Sequence, residues 1–458
     1  MPADRPDHGF AYPREQFQQM VEDVLARARA LGATDAGVEV SEGAGLSVSV
    51  RLGQVENVER NRDKSLGVSV YLGRRRGNAS TSDFSSTAIG QTVQAAYDIA
   101  RFTAEDPVAG LPDTEDLASA AEAARDLDLF HPWDVTAERA AELAQRCEAA
   151  AMDVDRKRIT NSEGAGVSAQ QSHFWAGNSR GFRGGYASSR HYLYVAPIAG
   201  KGSGMQRDQW TSSMRDPSEL ASPEAVGRYA AQRALARLKS RRVATGQVPV
   251  LFESTLAAGL LGAYVQATSG GSLYRKASFL LDCAGQRVLA RHLDIDEDPF
   301  TAKGKASAPF DDEGVRTRAR RVVDAGVVQG YFLSSYSARK LGLRTTGHAG
   351  GAQNLRLTSR RTKRGDDLDA MLRKLGRGLF VTELMGQGVN YVTGDYSRGA
   401  AGFWVEDGRI AFPVEEVTIA GNLRAMFGDI VAVGADAYTL GGKTTGSILI
   451  ERMKLAGR

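Results

Sequence analysis

The sequence predicts an α+β fold of two domains, an N-terminal domain of helices and antiparallel sheet and a mostly antiparallel, β-rich C-terminal domain. The chain has 458 residues, more than one ordinary domain contains. Its first half alternates amphipathic helical patterns with short strands, whereas strands and glycine-rich turns dominate its second half. The polar stretch Lys239–Pro249 is the predicted boundary. We therefore assign residues 1–240 and 241–458 to the two domains.

Four amphipathic helices are predicted in the N-terminal domain. Apolar residues recur at helical spacing from about Arg14 to Leu31, and Gly32 ends this helix. The same periodicity predicts helices at about 87–102, 136–151 and 223–238. Segments such as "LSVSVRLG" and "LGVSVYLG" alternate apolar and polar residues between the first two helices, which is typical of an antiparallel meander.

A second β region is predicted at about 158–214. Turns containing Asn and Gly separate its strands, and the strand Ser188–Ala196 carries His191 on one face. The C-terminal domain opens with the strand "VPVLF" and a helix beginning near Ala257. Beyond this helix, only Asp366–Leu375 has a clear helical pattern.

Composition and charge exclude several classes of protein. The net charge of +4 is small for this length, so the basic pI of 8.9 does not by itself indicate nucleic-acid binding. No apolar run is long enough to span a membrane and the polar N-terminus has no signal-peptide core, so we expect a cytoplasmic protein. Cys147 and Cys283 cannot form a disulfide framework or a cysteine-rich zinc site, and Cys147 is predicted to be a small buried hydrophobe.

Metal-ligand spacings are absent from the sequence. It contains no HExxH or HExxxH motif, and no histidine has another His, Cys or Glu at a ligand spacing. His292 precedes Asp294, Asp296 and Glu297, for which a solvated acidic turn is the favoured interpretation and a cation cluster the alternative. The six histidines are His8, His131, His173, His191, His292 and His348.

Motifs for nucleophilic and phosphate chemistry are absent as well. No GxSxG elbow occurs. The segment Gly441–Gly446, "GGKTTG", resembles the end of a phosphate-binding loop, but Ala437 stands where that motif needs its first glycine, so a glycine-rich turn is predicted. Asp311 and Asp312 could pair for acid–base chemistry or bind a cation, although adjacent side chains usually point in different directions. The residues alone therefore indicate no particular chemistry.

Long segments of the chain resemble the PmbA/TldE branch of the TldD/PmbA family. The clearest are "PFDDEGVRTRARRVVDAGVVQGYFLSSYSARKLGLRTTG" at Pro309–Gly347 and "GQGVNYVTGDYSRGAAGFWVEDGRIAFPVEEVTIAGNLRAMF" at Gly386–Phe427. The segment "VRLGQVENVERNRDKSLGVSVYLGRRRGNASTSDFS" at Val50–Ser85 matches as well. The resemblance extends over nearly the whole chain.

This resemblance implies a cytoplasmic zinc metalloprotease that assembles as a heterodimer of paralogous subunits. The family was formerly named modulator of DNA gyrase, and its substrates are unfolded or leader-type peptides, including microcin precursors and a plasmid antitoxin. In the catalytic, TldD-like subunit a helix carries HExxxH and a cysteine in a CGK triplet is the third zinc ligand. The Glu of that motif takes a proton from the zinc-bound water.

Aligned on the pair Arg275–Lys276, this chain departs from the catalytic pattern at every position of the metal site. Gly262 and Ala267 stand in place of the two histidines, Ala263 in place of the Glu, and Gly441 of "GGK" in place of the cysteine. Glycine and alanine have no side-chain donor atoms. We therefore expect neither a catalytic zinc ion nor peptide hydrolysis in this chain alone, and zinc only in a TldD-like partner.

The resemblance therefore implies a non-catalytic subunit that completes a peptide-binding chamber with its TldD-like partner. Whether the chain forms a homodimer when that partner is missing stays open. Strand edges rich in glycine would hydrogen-bond an extended peptide. Asn390, Tyr391, Thr393 and Asp395 are candidate wall residues, and a capped hairpin is the alternative interpretation of the same residues.

Two further hypotheses belong to other functional classes. The chain could be an independent hydrolase that uses His348 or His191 with a serine. It could also be a regulatory protein that binds gyrase or nucleic acid, but its modest net charge and scattered basic residues argue against direct nucleic-acid binding.

Overall fold

A computed structural model describes residues 9–457 as two compact units. The N-terminal unit contains residues up to 235 together with Pro309–Thr317, and the C-terminal unit contains residues 236–308 and those from 318 onward. The first eight residues, which include His8, and the last residue lie outside the described part of the chain. Within residues 9–457, no helix is both long enough and apolar enough to cross a membrane.

The N-terminal unit combines helices with one large sheet. Its helices are α1 (Arg14–Ala30), α2 (Ser86–Phe102), α3 (Ala120–Ala123), α4 (Ala137–Asp153) and α5 (Pro223–Ala236). Its strands are β1 (Asp35–Arg51), β2 (Gln54–Leu72), β3 (Arg75–Thr81), β4 (Ile159–Asn178), β5 (Arg183–Gly184), β6 (Ala187–Ala199), β7 (Gln206–Arg207) and β8 (Trp210–Met214).

The sheet is antiparallel and follows the order β3-β2-β1-β4-β6-β7, with β5 paired to β4 and β8 to β6. From Ala36 to Val50, every second residue of β1 except Ala44 is buried, and Val38 and Val40 pack in one core with Val21 and Val24 of α1 and Val93 of α2. Burial of each such side chain stabilises the fold by about 1.5–3 kcal/mol. One face of the sheet is therefore the core face that receives these helices.

The C-terminal unit consists mainly of strands. Its helices are α6 (Ser254–Thr268), α7 (Gly270–Tyr274), α8 (Ser335–Lys340), α9 (Leu368–Leu375) and α10 (Leu423–Gly428). Its strands are β9 (Gly246–Phe252), β10 (Leu293–Glu297), β11 (Arg320–Asp324), β12 (Val327–Val328), β13 (Leu355–Ser359), β14 (Gly378–Met385), β15 (Asp395–Glu406), β16 (Arg409–Asn422), β17 (Ile430–Val433), β18 (Tyr438–Leu440), β19 (Lys443–Thr445) and β20 (Ile448–Ala456).

These strands form a closed barrel and a second sheet. The barrel follows the order β16-β15-β14-β9-β20 and closes because β16 also pairs with β20, while β17 extends from β20. Closure leaves no free barrel edge along the paired stretches. The second sheet follows the order β12-β11-β10-β13-β19-β18. One hydrophobic core contains side chains of the barrel, of this sheet and of α6.

The structure confirms the α+β class and the long helices predicted from periodicity, each with ends within two residues of the prediction. Cys147 is fully buried, as predicted. The segment "GGKTTG" lies in the β18–β19 hairpin, which confirms the predicted turn. The short helices α8 and α10 were not predicted, because they are too short to show a periodic pattern. Local hydrogen bonds begin α8 instead, since Ser334 caps it with a capping box.

Candidate functional site

Helix α6 follows β9, the strand that lies between β14 and β20 in the barrel. Leu260, Leu261 and Tyr264 bury one side of the helix in the main core of the unit. From Ser254 to Thr268 its side chains include no imidazole, thiol or carboxylate. The Tyr264 hydroxyl is its most acidic group, and burial raises the pKa of this hydroxyl far above its usual value. The helix therefore offers no group for proton transfer near neutral pH.

The structure brings α6 against the β18–β19 hairpin, to which Gly441 and Lys443 belong. A Cβ atom placed on Gly262 would lie 3.5 Å from Cε of Lys443. Gly441 occupies the hairpin turn with a φ of 57°, and a Cβ there would meet no heavy atom within 4 Å. Ala263 and Ala267 are both buried. Gly262 and the turn at Gly441, which the resemblance aligns with the first histidine and the cysteine, therefore lie close together in the structure.

These residues do not fit a catalytic zinc ion. Zinc in proteins is held by nitrogen, sulfur or oxygen atoms of side chains, and Gly262, Ala263, Ala267 and Gly441 have none. Throughout residues 9–457, no group of three or more His, Cys, Asp or Glu side chains could hold a metal ion.

The four candidate wall residues form a tightly hydrogen-bonded turn before β15. Oδ1 of Asn390 accepts the backbone N–H of Val392 at 2.9 Å, and the Thr393 hydroxyl donates to Asp395 at 2.7 Å. The carbonyl of Tyr391 accepts the N–H of Phe279 at 2.8 Å. This geometry matches the capped-hairpin interpretation. Their role in peptide binding stays a prediction.

His348 belongs to a buried polar network. Its Nε2 lies 3.0 Å from Oε2 of Glu297, which also accepts Nε of Arg320 at 2.7 Å, and its Nδ1 lies 2.8 Å from the Thr346 hydroxyl. This connectivity resembles a hydroxyl–histidine–carboxylate chain. The Thr346 oxygen, however, accepts the N–H of Leu333 at 2.8 Å, so the hydroxyl supports the local backbone. The network is structural and offers no free nucleophile.

The other histidine of the hydrolase hypothesis, His191, is hydrogen-bonded to the backbone. Nε2 of His191 donates to the carbonyl of His131 at 2.8 Å. In the part of the chain that the structure describes, neither His191 nor His348 is hydrogen-bonded to a serine hydroxyl. The geometry therefore gives no support to a serine–histidine site at either position.

The prediction of a solvated acidic turn after His292 is wrong. Its residues form β10, and His292 itself is buried between the Ser359 hydroxyl and the carbonyl of Ile430. Each of the three acids pairs with an arginine. The pairs are Asp294–Arg360, Asp296–Arg321 and Glu297–Arg320.

Asp311 and Asp312 do point in different directions, as expected for adjacent residues. Asp311 is buried, and its Oδ1 accepts the backbone N–H groups of Glu313 and Val315 at 2.9 Å each. Asp312 is exposed. Asp311 therefore holds the turn and the two do not form an acid–base pair.

Three of the buried histidines are expected to make the stability of the protein depend on pH. Burial lowers the pKa of His191, His292 and His348. The unfolded chain takes up protons near pH 6.5, before these folded histidines do. The free energy of unfolding is therefore expected to fall as the pH drops from about 7.5 to 5.5. The slope is at most about 1.4 kcal/mol per pH unit for each histidine.

Urea titrations across this pH range measure the dependence. A His292→Gln variant removes one titrating group and should show a shallower slope. A free energy of unfolding that does not change between these pH values would contradict neutral, buried histidines.

Models of the PmbA/TldA metallopeptidase match most of the chain. Domain 1 matches residues 36–100, the central domain 130–238 and the C-terminal domain 245–457. The Metalloprotease PmbA of Escherichia coli O157:H7 is 49% identical over 447 residues, which cover 97% of this chain and 98% of that protein. The Metalloprotease PmbA homolog of Haemophilus influenzae is 44% identical over 443 residues, covering 97% of this chain and 96% of that protein.

Solved structures share the fold. A candidate modulator of DNA gyrase from Bacteroides thetaiotaomicron superposes with a TM-score of 0.90 at 24% identity, covering 97% of this chain and all of that one. TldE from Thermococcus kodakarensis superposes with a TM-score of 0.82 at 19% identity over 96% of this chain and all of that one. At these identities the likeness concerns the fold alone. The family models and the high identity to the sequence relatives show that this protein belongs to the PmbA/TldD metallopeptidase family.

Proposed function

We propose that this chain is a non-catalytic, TldE/PmbA-like subunit of a heterodimeric zinc metalloprotease in the cytoplasm. A TldD-like paralogue supplies the zinc ion and the general base. The two subunits together enclose a chamber that admits unfolded or leader peptides. This chain contributes strand edges to that chamber and binds no catalytic zinc of its own.

One observation carries the proposal, namely the chemistry of α6 and its neighbouring hairpin. The four positions that correspond to the metal site lack donor atoms, and Lys443 lies beside Gly262. A lysine ammonium has three donors and no acceptor, so it repels a divalent cation rather than binding one. The membership of a metallopeptidase family together with this donor set favours a partner-dependent enzyme over a metal enzyme of one chain.

The test measures zinc and peptide hydrolysis with each subunit alone and with both. The isolated chain, dialysed against zinc and then against buffer, should contain far less than one zinc ion per chain by elemental analysis. It should leave an unstructured reporter peptide intact. Co-purified with its TldD-like paralogue, it should form a complex that hydrolyses the peptide.

The matched control is a complex whose TldD-like subunit carries Gln in place of the motif Glu, which should assemble but not hydrolyse. Stoichiometric zinc together with hydrolysis by the isolated chain would overturn the proposal. Hydrolysis by the isolated chain in the presence of a chelator would instead favour an independent hydrolase. Size-exclusion chromatography of the same samples reports whether the isolated chain is a homodimer.

A further inference from the structure

The N-terminal sheet has a second face, opposite α1 and α2, and this face contains a cavity of about 620 Å³. Because side chains alternate along a strand, Glu39 points away from the core side chains Val38 and Val40. The cavity is lined from β1, β2 and β4, from residues 110–112 and from residues 310–314, all in the N-terminal unit. Its volume is in the range of pockets that bind small molecules. We call this surface the acidic trough.

The floor of the acidic trough is made of small residues. Gly37, Ser41 and Gly43 of β1 lie there beside Ser65 and Gly67 of β2. A Cβ atom on Gly67 would meet no heavy atom within 4 Å, so the space above this strand is open. The floor therefore leaves room for a ligand to approach the sheet closely.

Acids outnumber bases in the lining. Beside one lysine and one arginine, it contains five acids of this face, which are Glu39, Asp63, Asp311, Asp312 and Glu313. The sixth acid, Glu42, alternates onto the core face with Val40 and accepts the N–H groups of Ala11 and Tyr12. The two basic groups are engaged elsewhere. Lys64 donates to the Tyr12 hydroxyl at 2.7 Å, and Arg76 donates to Asn78 at 2.9 Å. Neither contact compensates the negative charge of the trough.

Two of these carboxylates, Glu39 and Asp312, line the same cavity and interact electrostatically. Both side chains are exposed to solvent but are partly surrounded by protein. This partial burial, followed by the charge of Asp312, raises the pKa of Glu39, and partial burial followed by the charge of Glu313 raises the pKa of Asp312. Among residues 9–457, neither side chain has a hydrogen-bond or ion-pair partner. These carboxylates therefore lack the partners that the other acids in the lining have.

Aromatic rings form the wall beside them. The ring centroids of Phe174 and Tyr186 lie 4.8 Å apart, and those of Tyr186 and Phe310 lie 5.7 Å apart. Burial raises the pKa of the Tyr186 hydroxyl, and the charges of Asp312 and Glu39 contribute to the increase, so this ring lies near both carboxylates. Carboxylates next to aromatic rings favour an organic cation, because the ring face attracts positive charge and the carboxylate pairs with it.

We propose that the acidic trough binds an extended peptide through a lysine or arginine side chain placed between Glu39 and Asp312. Charge complementarity selects this occupant, since a polyanion would be repelled and a purely apolar segment would leave two carboxylates without partners. A divalent metal is not favoured, because the described residues offer no cluster of three suitable ligands. The proposal rests on the proposed function only in taking the ligand to be a peptide.

The experiment titrates the purified full chain, without a partner, into three fluorescein-labelled unstructured decapeptides. They share a Gly/Ser backbone and contain two lysines, two arginines or two norleucines. Fluorescence anisotropy should show the lysine and arginine peptides binding at least about tenfold more tightly than the norleucine peptide. The Glu39→Gln/Asp312→Asn double variant should lose at least about this tenfold preference, which corresponds to about 1.4 kcal/mol.

Glu59→Gln is the matched control, because Glu59 is an exposed acid of the neighbouring strand β2, paired with Ser47 of β1 outside the trough. This variant should bind the cationic peptides as the wild type does. The double variant should retain or increase its melting temperature, since the raised pKa values mean that the ionised carboxylates destabilise the free protein. The melting temperature therefore distinguishes loss of the binding site from loss of the folded structure.

Equal binding of cationic and norleucine peptides, absence of binding, or unchanged binding by the double variant would each overturn the proposal. The proposal would also be overturned if spermidine bound more tightly than the peptides and the double variant no longer bound it. That result would identify free polyamines as the ligands of the trough. None of these outcomes concerns hydrolysis, so the subunit role is tested separately.

Discussion

The Glu297→Ala variant is expected to lose about 3–5 kcal/mol of unfolding free energy. The Glu297 side chain is fully buried and accepts hydrogen bonds from Arg320, from His348 and from the backbone N–H of Gln353 at 2.8 Å. Although burial by itself raises the pKa of Glu297, its hydrogen bond with His348 and the charge and hydrogen bond of Arg320 hold this pKa below its usual value. Truncation would leave a guanidinium and a backbone donor without their acceptor.

Urea unfolding at pH 7 measures this loss, and Asp296→Asn is its matched control. Asp296 is adjacent in β10 and also pairs with an arginine, Arg321, but both side chains are largely exposed to solvent. Exposed ion pairs contribute at most about 1 kcal/mol, so the control should remain close to the wild type. If both variants lost the same free energy of unfolding, burial would not explain how much the Glu297 network stabilises the protein.

The Gly227→Ala variant is expected to destabilise the N-terminal unit by about 1–3 kcal/mol, although alanine is the better helix former. A Cβ atom on Gly227 of α5 would lie 2.2 Å from the carbonyl oxygen of Cys147 and 3.0 Å from the backbone N of Ala151, both in α4. Backbone atoms cannot move aside without separating the two helices. The clash therefore outweighs the gain in helix propensity, which is about 1 kcal/mol.

Gly259→Ala is the control for this prediction. Gly259 also lies within a helix, α6, but a Cβ atom there would meet no heavy atom within 4 Å. Alanine should therefore stabilise the protein by about 0.5–1 kcal/mol. Thermal unfolding of both variants gives the comparison, and a stabilised Gly227→Ala variant would contradict the close packing of α4 and α5.

The strands show which features of the fold can be predicted from sequence patterns. Alternating residues predicted strands in both halves of the chain, and the structure has strands there. Their partners could not be predicted, because β9 and β14 are parallel neighbours that are distant in sequence, and β16 closes the barrel through β20. Pairing of this kind depends on contacts between remote segments, whereas periodicity describes one segment at a time.

The acids of β10 show the same limit at the level of charge. Three carboxylates within four residues have the composition of a solvated turn, but in the structure each of them is paired with an arginine. Two of those arginines, Arg320 and Arg321, belong to the neighbouring strand β11, and Arg360 directly follows β13. The partners come from the fold, so the local composition led to the wrong interpretation.

For the candidate sites, too, the sequence determined some features and the tertiary structure others. The sequence by itself determined the helical pattern of α6 and its lack of donor atoms, because both are properties of one continuous segment. Only the tertiary structure placed Lys443 beside Gly262 and Asp312 near Glu39. Asp312 stood out in the sequence as one of two adjacent acids, but Glu39 did not, since a carboxylate becomes unusual only through its neighbours. Those neighbours come from segments far apart in the chain, which the folded core brings together.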